Sequence, residues 1–172
     1  MSEATQAPAM GLSAATRALF DREVAKYPAD QKQSAVMACL AIVQQEQGFV
    51  SREAEDLIAQ YLGMPPIAVY EVTTFYNMYN QQPVGKYKLN VCTNLPCQLR
   101  DGQRALHHLE EKLGVSMGQT TADGLFTLQQ CECLGACADA PVMLVNDRTM
   151  CSFMDNDKLD QLVDGLRAAE GK

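Results

Sequence analysis

Residues 87–97 have the sequence YKLNVCTNLPC and mark the point at which the apolar residues change from a helical to an alternating period. Three apolar residues share one face of a predicted β-strand: Tyr87, Leu89 and Val91. Lys88 and Asn90 occupy its other face. The pattern therefore predicts a strand that ends in a pair of cysteines, Cys92 and Cys97.

A second cysteine-rich stretch, CECLGAC, occupies residues 131–137. Phe126 and Leu128 alternate with polar residues just before it, which predicts another strand running into Cys131. Between the two stretches, leucines at helical spacing predict a helix that ends at Gly114: Leu106, Leu109 and Leu113. After them, residues 142–145 and 149–153 predict a hairpin, and apolar residues at helical spacing predict a final helix: Leu159, Leu162, Val163 and Leu166. The second half of the chain is thus expected to form an α/β sandwich on one small sheet.

The first half of the chain predicts four helices. The first carries Leu19, Phe20 and Val24, and the second follows a capping box formed by Asp30 and Gln33 and carries Val36, Cys39, Leu40 and Val43. Ser51 is expected to cap the third helix and Gly63 to end it. Pro65 and Pro66 suit the start of the fourth, whose inward residues are predicted to be Val69, Val72, Phe75 and Tyr76.

A segment rich in Asn, Gln, Pro and Gly, residues 77–86, predicts a linker between these two halves. We therefore expect an α+β protein with a helical bundle over residues 1–80 and a second domain over residues 81–172. About the first 12 residues are expected to be flexible, as chain ends commonly are.

Charge and hydropathy narrow the classes of function. A net charge of −7 argues against a nucleic-acid partner, because such binding relies on Lys and Arg neutralising phosphates. The longest strongly apolar window, residues 35–43, is shorter than the roughly 20 residues that span a bilayer, so no membrane insertion is expected. The first residues also lack the pattern of a secretory signal, which predicts a cytoplasmic protein.

The seven cysteines favour metal or redox chemistry over a disulfide framework, because the count is odd and cytosolic thiols stay reduced. Cys92 and Cys97 are separated by four residues, and Cys133 and Cys137 by three. Iron and zinc both accept four thiolates, but structural zinc sites usually use shorter knuckles. The spacing favours an iron–sulfur centre, with a structural zinc site as the alternative. A thiol–disulfide enzyme is disfavoured, since its usual Cys-x2-Cys motif is absent from the sequence.

The motifs CTNLPC at residues 92–97 and ECLGAC at residues 132–137, followed by Ala140 and Pro141, resemble the thioredoxin-like 2Fe-2S ferredoxin subunit of the NADH-dehydrogenase module of respiratory complex I. Residues 74–79, TFYNMY, and residues 83–87, PVGKY, resemble the junction between that family's helical bundle and its cluster domain. The resemblance extends over about residues 19–166 and implies a thioredoxin-like fold for the second half.

The resemblance implies that Cys92, Cys97, Cys133 and Cys137 hold one 2Fe-2S cluster and that the chain carries single electrons within NADH:quinone oxidoreductase. It also implies a partner subunit with FMN and the NADH site, in a peripheral arm on the cytoplasmic side of the inner membrane. The sequence has no G-x-G-x-x-G fingerprint, so no hydride-transfer site is expected in this chain. Cys131, two residues before a ligand, is interpreted as a packed strand-end thiol.

Two further alternatives concern the parent complex. The same family includes the equivalent small subunits of NAD-reducing hydrogenases and of NAD-dependent formate dehydrogenases. We expect the helical half to dock onto the partner subunit. Around the cluster, four side chains are expected to limit access of water: Leu95, Pro96, Leu134 and Ala136.

Overall fold

The structure is a computed structural model that describes residues 12–171. The chain forms two compact units that divide between Pro83 and Val84. That the units are independent domains with a boundary at residue 80 stays a prediction. The predicted flexibility of the N-terminal segment concerns mostly residues outside the described range.

Within residues 12–83, the first unit consists of α-helices and one 3-10 helix. Its elements are α1 (Ala14–Val24), a 3-10 helix (Ala29–Ala35), α2 (Val36–Gln47), α3 (Arg52–Leu62) and α4 (Pro66–Phe75). The Ser51 hydroxyl accepts a hydrogen bond from the Ala54 N–H, and Gly63 ends α3 with a φ of 67°. The predicted cap and stop of this helix are therefore confirmed. Fully buried side chains from all four α-helices form the core: Phe20, Leu40, Val43, Ile58, Leu62 and Val69.

Two predictions for this unit are wrong. The sequence predicts a capping box at Asp30, but a 3-10 helix covers this residue and α2 begins only at Val36, without a side-chain cap. The sequence also predicts Phe75 and Tyr76 to face inward. Phe75 is instead 80% exposed, because α4 ends there and Tyr76 continues in an extended conformation.

The predicted linker is also partly wrong. Tyr79 is buried in the helical core, and its hydroxyl donates a hydrogen bond of 2.9 Å to the Met37 carbonyl. The Val50 N–H donates to the Asn80 carbonyl at 2.7 Å. The start of the segment thus packs as part of the helical unit.

The second unit is a four-stranded mixed sheet with helices against one face. Its elements are β1 (Tyr87–Cys92), α5 (Leu95–Gln98), α6 (Gly102–Leu113), β2 (Phe126–Cys131), a 3-10 helix (Cys137–Asp139), β3 (Met143–Val145), β4 (Thr149–Cys151) and α7 (Asn156–Glu170). The strand order is β2-β1-β3-β4. β1 is parallel to β2 and antiparallel to β3, and β3 is antiparallel to β4. The predicted α+β class is confirmed.

Alternation along the strands separates the two faces of this sheet. Leu89 and Val91 lie on the face covered by α6 and α7, together with Phe126 and Leu128. The other face carries polar residues that end in a cysteine on both β1 and β2, since Lys88, Asn90 and Cys92 pair in register with Thr127, Gln129 and Cys131. The candidate site lies at this carboxyl end of the two parallel strands.

The hairpin of β3 and β4 is shorter than predicted. β4 ends at Cys151, and Phe153 has a left-handed backbone with a φ of 54°, which an extended strand cannot contain. None of the helices within residues 12–171 is both long enough and apolar enough to cross a membrane.

Candidate metal centre

Cys92 and Cys97 form a buried pair. Cys92 is the last residue of β1, and Cys97 lies in the one-turn helix α5. Each is only 1% exposed. A Cβ at Gly102 would lie 2.8 Å from the Cys97 carbonyl oxygen and 3.1 Å from that of Cys92. Because glycine has no Cβ, the start of α6 can lie closer to both backbones than it could with any other residue at position 102.

Cys97 is held as a neutral thiol. Burial, followed by a hydrogen bond with Cys92, raises the pKa of Cys97 to about 11, against an opposing effect of a hydrogen bond with the Val142 backbone. A thiol binds metal as the thiolate, so metal binding here must release protons.

Cys133 and Cys137 form an exposed pair on the loop that follows β2. Their Sγ atoms are 3.5 Å apart, and the Gly135 N–H donates a hydrogen bond of 3.4 Å to the Cys133 Sγ. Gly135 has a φ of 75°, which the tight turn between the two cysteines requires. The hydrogen bond with Cys133 is the largest cause of the raised pKa of Cys137.

The two pairs are neighbours in space. The charge of Cys137 contributes to the raised pKa of Cys97, and that of Cys92 contributes to the raised pKa of Cys137. Leu134 and Ala136 are partly buried against the set of buried residues that includes Cys92 and Cys97. Leu95 is not, because its side chain is 65% exposed on the outer side of α5. The structure thus places Cys133 beside Cys137 and Cys92 near Cys97, with the two pairs close enough for their charges to interact.

The residues present fit a binuclear cluster. Two sulfurs bound to one tetrahedral metal at about 2.3 Å lie roughly 3.8 Å apart, which the spacing within the exposed pair approaches. Two such pairs provide two thiolates for each of two irons, and thiolates are the ligands of iron–sulfur clusters. Within residues 12–171 no group of three or more Cys, His, Asp or Glu side chains is arranged to hold a single metal ion.

The other three cysteines lie in packed surroundings. Cys131 is 7% exposed, pairs in register with Cys92 across the parallel strands, and has its pKa raised to about 12 by burial. Cys39 is fully buried in the helical unit, and burial likewise raises its pKa to about 12. Cys151 is partly buried at the end of β4. Packing agrees with the interpretation of Cys131 as a strand-end thiol.

The sequence did not predict that Lys88 is buried and forms an ion pair with Asp147. The alternating pattern placed Lys88 and Asn90 on a polar face, yet they are 2% and 4% exposed. The Lys88 Nζ lies 2.5 Å from the Asp147 carboxylate, which belongs to the turn between β3 and β4. The predicted hairpin leaves residues 146–148 as its turn, but nothing in the local pattern indicates what this turn contacts.

The sequence model of the family described as "Thioredoxin-like [2Fe-2S] ferredoxin" matches residues 20–167. NADH-quinone oxidoreductase subunit 2 of Thermus thermophilus is 40% identical over 151 residues, which cover 88% of this chain and 83% of that protein. An NADH-quinone oxidoreductase subunit of Rhizobium meliloti is 41% identical over 151 residues, with 88% of each chain covered. An NADH-quinone oxidoreductase subunit of Rickettsia conorii is 41% identical over 150 residues, covering 87% of this chain and 89% of that protein.

A solved structure supports the fold. An NAD+-reducing [NiFe]-hydrogenase in the H2-reduced state superposes with a TM-score of 0.66 at 22% sequence identity, covering 78% of this chain and 22% of that one. At this identity the likeness concerns the fold and not the activity. The family match over most of the chain and the three relatives at about 40% identity agree. This chain is a member of the thioredoxin-like 2Fe-2S ferredoxin family.

Proposed function

We propose that this chain holds one 2Fe-2S cluster through Cys92, Cys97, Cys133 and Cys137 and carries single electrons as a subunit of an NADH:quinone oxidoreductase. The observation that supports the proposal most is that a pair of thiols lies at or after the end of each of the parallel strands β1 and β2, with electrostatic coupling between the pairs. The names of the relatives, all subunits of NADH-quinone oxidoreductases, support the choice of complex.

When bound, the cluster supplies reversible one-electron chemistry. The residues of this chain hold the cluster and control its exposure to water and to a partner. The buried pair fixes one side against the sheet, where Ala140 and Val142 exclude water. The exposed pair leaves the other side open to an electron-transfer partner. Leu134 and Ala136, which are themselves partly buried, pack against the residues around the buried pair.

A one-electron centre cannot accept hydride, so NADH oxidation is assigned to another subunit. We place the FMN and the NADH site on that partner, and we assign the assembly to the cytoplasmic side of the inner membrane as part of a peripheral arm. In support, the sequence contains no dinucleotide-binding fingerprint.

The helical unit is our candidate for docking onto the flavin-bearing subunit. Its α4 and the residues that follow expose several large apolar side chains: Ile67, Phe75, Tyr76 and Met78. Exposed apolar groups of this size commonly mark a protein interface. Phe75→Ser together with Ile67→Ser is expected to weaken co-purification of the flavin-bearing subunit without loss of iron. Unchanged assembly would overturn this docking role.

Assignment of the cluster to this chain is tested in the intact complex. Cys137→Ala is expected to leave an assembled complex that still reduces ferricyanide with NADH, yet lacks one rhombic 2Fe-2S electron paramagnetic resonance signal after dithionite treatment. Cys151→Ala is the matched control and should retain every signal. An unaltered spectrum for Cys137→Ala would contradict the proposed function. So would purification of the tagged chain in an assembly that contains no flavin.

A further inference from the structure

A cleft lies in the second unit between the end of α5, the start of α6 and the segment that leads into α7. Its volume is about 330 Å³, at the lower end of the sizes of protein binding sites. Two arginines line it, Arg100 and Arg104. Apolar side chains form much of the rest of its wall: Leu99, Pro141, Phe153 and Met154. The cleft therefore combines apolar contact area with positive charge.

This cleft adjoins the buried cysteine pair. Cys97 lies in α5, two residues before Leu99. Ala140 also lines the cleft, and it belongs to the set of buried residues that includes Cys92 and Cys97. A polypeptide seated in the cleft would thus contact the segments that hold this pair.

Large apolar side chains at the cleft project into solvent. Leu99 is 78% exposed and Phe153 is 48% exposed. The Leu99 N–H donates a hydrogen bond of 3.0 Å to the Leu95 carbonyl, so the 65% exposed side chain of Leu95 lies on the same helical face. Sites for small molecules enclose most of the ligand, whereas protein interfaces centre on apolar side chains that stand out from the surface. These three side chains therefore fit a polypeptide partner better than a small molecule.

Phe153 is held in a strained conformation at the edge of this cleft. Its φ of 54° is one that bulky side chains rarely adopt. The Phe153 N–H donates to the Asp139 carbonyl at 2.7 Å, and the Met154 N–H donates to the Pro141 carbonyl at 3.0 Å. The Lys158 Nζ lies 5.7 Å from the centre of the Phe153 ring, which is a cation–π distance. Backbone strain that the surrounding structure maintains in this way is concentrated at functional sites.

Among the charged residues that line the cleft, the one without a partner is positive. Within residues 12–171, Arg100 makes no side-chain hydrogen bond or ion pair. The Arg104 Nη2 lies 3.3 Å from the Asp101 Oδ2. The Asp155 carboxylate accepts a hydrogen bond of 2.9 Å from the Lys158 N–H. In a chain whose net charge is −7, this cleft complements a carboxylate and not a cation.

We propose that the cleft is a docking site for an acidic segment of a partner subunit, which packs an apolar side chain beside Leu99 and Phe153 and pairs a carboxylate with Arg100. A guanidinium binds a carboxylate through two parallel hydrogen bonds, so the pair fixes the direction of the segment. The inference rests on the proposed function, because it requires an assembly with partner subunits. It adds a docking surface beside the buried cysteines to the one proposed on α4.

The test is site-specific photo-crosslinking in the intact complex, with p-benzoylphenylalanine in place of Leu99. Mass spectrometry is expected to map the adduct to a peptide of a partner subunit that contains an aspartate or a glutamate. Arg100→Glu is expected to lower the yield of this adduct at least about tenfold, because an attraction becomes a repulsion. Reversal of the mapped carboxylate to lysine is expected to restore the yield in the Arg100→Glu chain.

Arg148→Glu is the matched control. Arg148 is an exposed arginine of the same unit that lies in the turn between β3 and β4, outside the cleft. Its reversal should leave the yield of the adduct unchanged. Iron, acid-labile sulfide and flavin are measured for every variant. If the chain with the probe at position 99 does not assemble, the probe replaces Arg104, which lines the same cleft.

Three results would overturn this inference: no adduct with a partner subunit, an adduct whose yield Arg100→Glu leaves unchanged, or an equal fall in yield for Arg148→Glu. With any of them, a chain that purifies with a 2Fe-2S cluster and with flavin would leave the proposed function standing. A chain that purifies alone, without a cluster and without flavin, would overturn both.

Discussion

The two cysteine pairs occupy opposite kinds of environment. Cys92 and Cys97 are each 1% exposed at the end of a strand and in a short helix, whereas Cys133 and Cys137 lie exposed on a loop. The first pair is built by the fold, because β1, α5 and the close approach of Gly102 fix it. The second pair is held by a hydrogen bond from Gly135 and by contact between its own sulfurs.

This difference predicts different roles for the buried and the exposed pair. The buried pair can hold its ligand geometry before metal binds, since its position depends on the hydrophobic core. An exposed half provides a route for metal entry and for electron exchange with a partner. The account therefore predicts that changes in the two halves have separable effects on stability, thiol reactivity and cluster content.

The largest effect is expected from removing one ligand of each pair. Cys97→Ala and Cys133→Ala should both lose the cluster, seen as loss of bound iron and of visible absorption. Only Cys97→Ala is expected to lower the stability of the metal-free protein, by about 1 kcal/mol or more, because only it removes a buried side chain. Cys131→Ser is the control and should retain iron. Equal stability of both alanine variants in urea denaturation would contradict the predicted difference between the buried and the exposed pair.

The next largest difference is expected in the rates at which the cysteines of the two pairs are alkylated in the metal-free protein. Cys133 and Cys137 should react with iodoacetamide at pH 8 first. Cys97, with a pKa of about 11, and Cys131, with a pKa of about 12, should react at least about a hundredfold more slowly, because burial and low ionisation both protect them.

Because these two pKa values are raised, the rates at Cys97 and Cys131 should climb as the pH rises toward 11. Peptide mapping by mass spectrometry gives the order of modification. Simultaneous labelling of all four proposed ligands would show that the buried half is not formed before metal binds.

A smaller effect is expected from Gly102→Ala. The new Cβ would meet the backbone of Cys97 at 2.8 Å, so the free energy of unfolding should fall by about 1–3 kcal/mol and the buried pair should be displaced. Gly165→Ala is the matched control. Gly165 lies within α7 with nothing within 4 Å of its Cβ position, so this change should raise stability by up to about 1 kcal/mol. Equal effects of the two variants on chemical denaturation would contradict the close packing at Gly102.

The smallest effect is expected at the exposed loop. Gly135→Ala introduces a Cβ where φ is 75°, at a local cost of roughly 1–2 kcal/mol, but its Cβ meets no neighbour. We expect slower cluster insertion and a smaller fall in the melting temperature of the metal-free protein than Gly102→Ala causes. A fall as large as that of Gly102→Ala would mean that the loop is as tightly integrated as the strand end.

The sequence predicted the elements that carry the cysteines because local patterns determine them. Alternation before Cys92 and Cys131, and the glycines that end α3 and α6, are signals contained within a few residues. The Lys88–Asp147 pair had no such signal, since its members are far apart in the sequence and meet only when β3 pairs with β1. An alternating pattern distinguishes two faces of a strand but does not say which of them is covered.

Lys88 was predicted to lie on a polar face and is buried, whereas Phe75 was predicted to face inward and is exposed. Helical spacing placed this apolar residue inward, but spacing cannot show that α4 ends at the same position. Its 80% exposure became visible only with the packing of α4 against its neighbours. Apolar residues reserved for a partner and apolar residues of the core have the same pattern in a sequence.

Electron paramagnetic resonance of the anaerobically purified chain, before and after dithionite, tests the central claim most directly. Iron and acid-labile sulfide are assayed on the same sample. The account predicts a silent oxidised state, a rhombic spin-half signal after reduction, and two irons with two sulfides per chain. A colourless, silent protein that contains one zinc would contradict it.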